Sequence, residues 1–192
     1  CNNTALMSAA INGHVNCIMT LYDIYNDKID VNIMNDDKDT ALDVAISKRF
    51  VNCINALCVC YGDTIKTNID KSLYHIVIED LFEAIPILYK YCKKNINLKG
   101  KFLTQNNIII TAIIAKSYQS LKTLYEYWGD QLDLHTYLSN GDTILMHLVK
   151  SNDATAIKIL YPNIIHIDQV DKDDKDVFSM TTNPDWLEIL LD

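Results

Sequence analysis

The sequence predicts an all-α solenoid of stacked helix-turn-helix units, and three observations support this prediction. One Leu recurs at intervals of 36, 31, 36 and 36 residues, at Leu21, Leu57, Leu88, Leu124 and Leu160. Apolar residues stand at fixed positions ahead of each copy, and polar stretches separate the copies. A period of roughly 20 to 50 residues is typical of repeat architectures, in which each unit is one supersecondary element.

The first helix of each unit is predicted from an apolar stripe. Fifteen residues before the recurring Leu stands an aliphatic residue in every copy: Leu6, Leu42, Leu73, Ile109 and Leu145. Twelve residues before it stand further apolar side chains: Ala9, Ala45, Ile76, Ala112 and Leu148. Positions three apart share a helical face, so this spacing predicts a short helix with one buried side.

The second helix is predicted from a small residue followed by an aliphatic one. The small residue stands four positions before the Leu, at Cys17, Cys53, Ala84, Ser120 and Ala156. The aliphatic residue follows directly, at Ile18, Ile54, Ile85, Leu121 and Ile157. This pattern indicates the inner stripe of a helix packed closely on its neighbour. Because one helix pair cannot bury both of its faces, the units must stack into one elongated core.

Stretches rich in Asp, Asn, Lys and Gly, such as 35–39 and 139–142, predict the turns between units. We expect one domain over residues 1–192, with its units at 3–39, 40–70, 71–106, 107–142 and 143–175 and a degenerate cap at 176–192. In the cap, Asn183 is predicted to start a helix that runs through Trp186 to Leu191. Terminal repeats normally have a polar outer face, so a first unit that begins at residue 3 suggests a piece of a longer protein.

The segment Thr4-Ala5-Leu6-Met7-Ser8-Ala9, followed by Gly13-His14, resembles the ankyrin signature T-P-L-H-x-A, whose period is about 33 residues. Residues 30–32 (Asp-Val-Asn) resemble the family's D-V-N, and residues 40–45 and 143–148 repeat the helix opening. The resemblance covers essentially residues 3 to 161. Tetratricopeptide repeats are the rival interpretation, but their W-x-x-L-G motif is missing.

Three departures from the ankyrin pattern predict local irregularity. The Pro after Thr is absent throughout, and Lys71 and Asn107 stand where the Thr is expected. The Gly of Gly13 is replaced in the later units, so irregular turns between the helices are expected at Arg49, Asp80, Lys116 and Asn152.

Net charge and the length of the apolar runs argue against nucleic-acid binding and membrane insertion, and the cysteine positions indicate the cellular location. A net charge of −8 disfavours nucleic acid as the partner, because such binding rests on Lys and Arg that neutralise phosphates. The apolar runs are far shorter than the roughly 18 to 20 residues that span a bilayer, so no membrane insertion is predicted. All six cysteines lie in the first half of a chain with ample core, which favours reduced thiols and a cytoplasmic or nuclear location.

Candidate metal and catalytic groups have simpler structural interpretations. Cys53, Cys58 and Cys60 with His75 lack the paired spacing of zinc sites, and core packing is favoured. The acidic run 168–176 lacks the Gly and Glu of a calcium loop, so an inter-unit turn is favoured. Nucleophilic catalysis needs a His near its nucleophile, but the histidines fall in different units, at His14, His75, His135, His147 and His166. We predict no catalytic site, metal or cofactor.

Aromatic residues recur near the end of each predicted second helix, and packing between neighbouring units is favoured over a binding role: Tyr22, Tyr25, Tyr61, Tyr89, Tyr91, Tyr125, Tyr127, Trp128 and Tyr161.

The ankyrin resemblance implies a module or adaptor that binds a protein through a concave face, made by the turn tips and the first helices. Carried onto this sequence, the candidate binding residues are Asp36, Asp37, Asp39, Lys48, Asn68, Asp70, Ile78, Glu79, Ile114, Asn140, Asp142 and Lys150. Acidic tips and an apolar strip favour a partner with basic residues around an apolar anchor. The alternative is a structural or scaffolding segment of a larger protein or assembly, and a hydrolase is the least favoured class.

Overall fold

The computed structural model describes residues 2–98, 106–138, 140–160, 170–171 and 173–180, and these contain helices and turns without any strand. The predicted all-α class is confirmed. Five helix pairs and one short further helix occur in this part of the chain: α1 (Ala5–Ile11) with α2 (Val15–Tyr25), α3 (Ala41–Ser47) with α4 (Val51–Tyr61), α5 (Ile69–Ile78) with α6 (Ile85–Cys92), α7 (Ile108–Ile114) with α8 (Tyr118–Trp128), α9 (Ile144–Lys150) with α10 (Ala154–Leu160), and α11 (Val177–Met180). Short 3₁₀ turns follow α2, α6 and α8.

The first helices begin at side-chain caps. The Thr4, Thr40 and Thr143 hydroxyls each accept a hydrogen bond from the backbone N–H three residues later, which satisfies an otherwise orphan donor. Asn107 does the same for the Ile110 N–H at 2.9 Å, so the Asn that replaces Thr keeps the cap. The third unit differs, since Asn68 makes no such cap and α5 starts at residue 69, two residues ahead of the predicted unit boundary at 71.

The turn within each helix pair is regular, so the prediction of irregular turns is wrong. One backbone hydrogen bond of 2.9–3.0 Å recurs in all five pairs, for example from the Phe50 N–H to the Ala45 carbonyl. The residues that replace Gly13 (φ 71°) all keep a positive φ of 48–57°: Arg49, Asp80, Lys116 and Asn152. The left-handed conformation costs a non-glycine residue only about 1–2 kcal/mol, which the stacking of whole units outweighs.

The pairs stack in register. First helices pack on first helices from α1 through α7, and second helices pack on second helices from α2 through α10. The predicted apolar stripes are buried in one continuous core. Two predicted core positions are exceptions, since Leu21 is half-buried and Cys17 is exposed. Both lie on α2, which packs on α1 and α4, whereas α4 packs on α2, α3 and α6.

Candidate functional site

Three of the turns between units share one hydrogen-bonded geometry. The Asn35 N–H donates to the Asp39 carbonyl at 3.0 Å, and the Lys38 N–H donates back to the Asn35 carbonyl at 3.0 Å. The same pair of bonds recurs over residues 138–142 and 171–175, and the residue with positive φ is Lys38, Gly141 or Asp174. The described part of the acidic run is therefore an inter-unit turn, as predicted. Positions 168–169 and 172 of that run lie outside the described residues.

The first inter-unit turn carries the acidic tip predicted from the sequence. Asp36 and Asp37 are exposed, and the Asn2 side-chain amide donates to Asp36 at 3.1 Å. Asp39 is half-buried, and its carboxylate lies 2.7 Å from the Lys71 ammonium of the next unit. Of the three predicted acids, two therefore face solvent and the third forms an ion pair between units.

The polar side chains of the second inter-unit turn form hydrogen bonds within the stack of helix pairs. The Asn68 side-chain amide donates to the Lys38 carbonyl at 3.0 Å and to the Asp43 carboxylate at 3.1 Å. The Asp70 carboxylate accepts from the Asn97 N–H at 2.8 Å. The structure thus places Asn68 in contact with the preceding unit and Asp70 in contact with the turn that follows its own helix pair, and each is only partly exposed.

Sequence reasoning missed a buried carboxylate beneath this turn. Asp43 accepts hydrogen bonds from the Thr40 N–H at 3.0 Å, the Thr40 hydroxyl at 2.9 Å and the Ser72 hydroxyl at 2.7 Å, in addition to Asn68. Buried carboxylates need such donors, since an unpaired charge is costly to desolvate. The available signal was an Asp at a helix position where the first and fifth units have Met.

In the fourth inter-unit turn, the two predicted site residues Asn140 and Asp142 differ in exposure. Asn140 is exposed, and its side-chain amide donates to Asp142 at 2.8 Å. Asp142 is only 3% exposed, and its other carboxylate oxygen lies 2.6 Å from the Lys150 ammonium. Asp142 is therefore an internal anchor of its unit, while Lys150 remains partly accessible. Ser139 lies outside the described residues.

The C-terminal ends of the first helices form a row of exposed residues. Lys48 ends α3, Ile78 and Glu79 end α5, and Ile114 ends α7. Ile78 is 41% exposed and Ile114 is 55% exposed, in units that pack directly on one another. Glu79 lies 3.5 Å from the Arg49 guanidinium, which also donates to the Glu79 carbonyl at 2.8 Å. The row thus has an apolar centre with charged neighbours.

Several of the recurring aromatic residues pack between units, as predicted, whereas Tyr25 is 48% exposed. The Tyr22 and Tyr61 rings meet edge to face at 5.2 Å, joining α2 to α4. The Tyr89 ring meets the Trp128 ring at 5.1 Å, which joins α6 to α8. Edge-to-face pairs at this separation stabilise aromatic contacts beyond simple area burial. Tyr161 lies outside the described residues.

The remaining candidate groups are dispersed. Cys53 and Cys58 are buried, in agreement with core packing, and Cys60 is half-buried. Across the described ranges, no three His, Cys, Asp or Glu side chains converge as metal ligands. None of the helices in those ranges combines the length and apolar character needed to cross a bilayer. His166 and the predicted cap helix through Trp186 lie outside the described residues.

These features define the class of the molecule as a solenoid of stacked helix pairs with a row of exposed residues at the ends of its first helices. The family model described as ankyrin repeats (3 copies) matches residues 1–71. Residues 1–71 therefore match the ankyrin-repeat family, and the fold of stacked helix pairs continues beyond them. Among curated proteins, no relative matches the chain.

Two solved structures show the same fold. The ankyrin repeat domain of Bcl-3, described as a unique member of the IkappaB protein family, aligns with a TM-score of 0.70 at 12% identity, over 100% of this chain and 99% of that one. The human ASB11 ankyrin repeat domain aligns with a TM-score of 0.52 at 15% identity, over 98% of this chain and 96% of that one. At these identities the similarity concerns the fold alone.

Proposed function

We propose that this chain is a non-catalytic adaptor that binds a partner protein through the concave face formed by its first-helix ends and inter-unit turn tips. Ankyrin repeats mediate protein–protein interaction, and residues 1–71 match the ankyrin-repeat family model. The observation that carries the proposal is the exposure of Ile78 and Ile114 at equivalent positions of adjacent units. Exposed apolar residues on two helices that pack on each other can form the contiguous apolar patch that marks an interaction surface.

We expect the exposed pair Ile78 and Ile114 to contact an apolar side chain of the partner. The first helices α5 and α7 pack on each other, and packed helices lie about 8–10 Å apart. Two apolar side chains on neighbouring helices at that spacing can receive one aliphatic or aromatic side chain of the partner. Such buried anchors carry a large share of the free energy of binding at protein interfaces.

We expect the exposed acidic residues to contact basic residues of the partner that lie beside its apolar side chain. Asp36 and Asp37 are exposed at the first tip, whereas the carboxylates of Asp39 and Asp142 are compensated by lysines within the array. The first tip is therefore the part of the predicted acidic set best suited to receive Lys or Arg. Charge pairs at the rim of an interface mainly accelerate association and select partners.

The test compares capture of partner proteins by matched variants at equal expression. Replacing Ile78 and Ile114 together by Asp is expected to abolish capture, because two charges would be placed against the apolar anchor. The matched control replaces Ile24 and Val59 by Asp, since these are comparably exposed aliphatic residues on second helices. Far-UV circular dichroism and thermal unfolding establish that both variants remain folded.

A second comparison tests the acidic tip. Replacing Asp36 and Asp37 by Lys is expected to weaken binding and to reduce its dependence on salt. The control replaces the exposed Asp23 and Asp63, which lie on or after second helices, by Lys. Equal loss of partners in test and control variants would exclude the concave face. We also propose a cytoplasmic or nuclear location, which fractionation of the source cell tests.

A further inference from the structure

Two buried thiols face each other across the second and third units. The Cys58 sulfur on α4 and the Cys92 sulfur on α6 share a hydrogen bond at a separation of 3.8 Å. Each residue is 1% exposed, and the two are 34 positions apart in the chain. The shared hydrogen bond lowers the pKa of Cys92 and raises the pKa of Cys58 well above its ordinary value.

The backbone holds this pair in close approach. Gly62 directly follows α4, and a Cβ atom there would lie 2.8 Å from the Tyr91 Cβ atom on α6. No real Cβ pair comes so close, so only glycine lets the ends of these two helices meet at this distance. A disulfide bond of about 2.05 Å requires the two sulfurs to move closer than their separation of 3.8 Å.

One member of the pair, Cys58, lies beside a groove. Cys58 contributes to the wall of a groove of about 650 Å³ that lies between the ends of the second helices of the first three units. A small oxidant can enter such a groove, although the low exposure of both sulfurs makes their reaction slower than that of the exposed Cys17.

We propose that Cys58 and Cys92 are an oxidative modification site, at which a peroxide converts the two thiols into a disulfide that joins the second and third units. The thiolate of one cysteine of the pair attacks one oxygen of hydrogen peroxide, the O–O bond breaks, and the released hydroxide takes up a proton to leave as water. The sulfur of the other cysteine then attacks this sulfenic acid, the S–O bond breaks, and a second water leaves with the proton of the attacking thiol. Two electrons pass from the sulfurs to the peroxide.

The bond would fasten two units whose contact is otherwise noncovalent. A disulfide restricts the unfolded chain between the linked residues, so the oxidised array should unfold at a higher temperature than the reduced one. The proposed concave face lies on the first helices, away from the second helices that carry both sulfurs. The site is therefore independent of the proposed binding function.

The test treats the folded 192-residue chain with hydrogen peroxide, blocks the remaining thiols in denaturant, and digests it with trypsin. Cleavage after Arg49, Lys66, Lys90 and Lys93 yields one peptide over 50–66 and another over 91–93. Mass spectrometry is expected to find these two peptides joined, with two hydrogens fewer than their sum. The oxidised chain should also show a thermal midpoint several degrees higher, which a reductant reverses.

Serine variants assign the bond, because the longer peptide contains three cysteines. The linked species is expected in Cys53→Ser and Cys60→Ser and absent from Cys58→Ser and Cys92→Ser. In urea the three cysteines compete, so Cys58→Ser should then lower the yield by only about a third. Gly62→Ala should lower the yield of the linked species in the folded chain but leave it unchanged in urea. Recovery of residues 91–93 entirely as the blocked thiol while Cys17 is oxidised would overturn the proposal, as would a linked species that persists in folded Cys58→Ser.

Discussion

The first two units have the same design but different burial. Helices α2 and α4 have equal length and occupy the same place in the repeat, yet only Ile18 is buried on α2, whereas α4 buries six residues. The difference follows from their neighbours, because α4 lies between α2 and α6 while α2 packs on α4 and α1. In a solenoid, the burial of a residue is therefore set by the units on both sides of it as well as by its own position.

The largest expected effect contrasts the equivalent leucines. Leu57→Ala should lower the free energy of unfolding by about 3–4 kcal/mol, because removing a fully buried side chain leaves a cavity. Leu21→Ala should cost about 1–2 kcal/mol, since its side chain is already half-exposed. Urea unfolding of both variants measures the difference. Equal losses would show that unit position does not control burial energetics.

The next effect concerns the third position of α3, where Asp43 stands in the place that Met7 has on α1. Asp43→Ala should cost about 2–3 kcal/mol, because donors of Thr40, Ser72 and Asn68 would lose a buried acceptor. Asp43→Asn keeps one oxygen for the Thr40 and Asn68 donors and should cost less than half as much. Chemical unfolding of the two variants tests this order, and a larger loss in Asp43→Asn would contradict the donor arrangement.

The smallest effect concerns the Tyr61 hydroxyl, which is buried without a hydrogen-bond partner among the described residues. Burial, followed by the nearby Cys60 and Tyr22, raises the pKa of Tyr61 to about 12. Above about pH 10 the unfolded phenol ionises while the folded one stays neutral, so wild-type stability should fall from pH 10 toward pH 12.

Tyr61→Phe removes that ionisation and should change stability by less than about 0.5 kcal/mol at pH 7, because the hydroxyl forms no hydrogen bond with any described residue. The difference in urea midpoint between wild type and Tyr61→Phe should then shift in favour of the variant between about pH 10 and pH 12. A difference that stays constant with pH would show that Tyr61 ionises equally in both states.

Much of the fold could be predicted because the repeat depends on local spacing. The stripes through Leu42 and Ile54 are buried as the period indicated, and Thr40 caps its helix as the signature implies. The turn at Arg49 could not be predicted, because its left-handed backbone depends on the stacking of helices that follow it. The candidate site was harder still, since the compensation of Asp39 by a lysine crosses a unit boundary.

The sequence by itself determined the period, the helix pairs, the inner stripes and the turns between units at 35–39 and 139–142, because each depends on residues close together in the chain. Only the tertiary structure decided that Cys17 is exposed while Cys53 is buried, that Asp142 is an internal anchor, and that Cys58 meets Cys92. These outcomes depend on which side chains neighbouring units bring together, and no local pattern specifies such a contact.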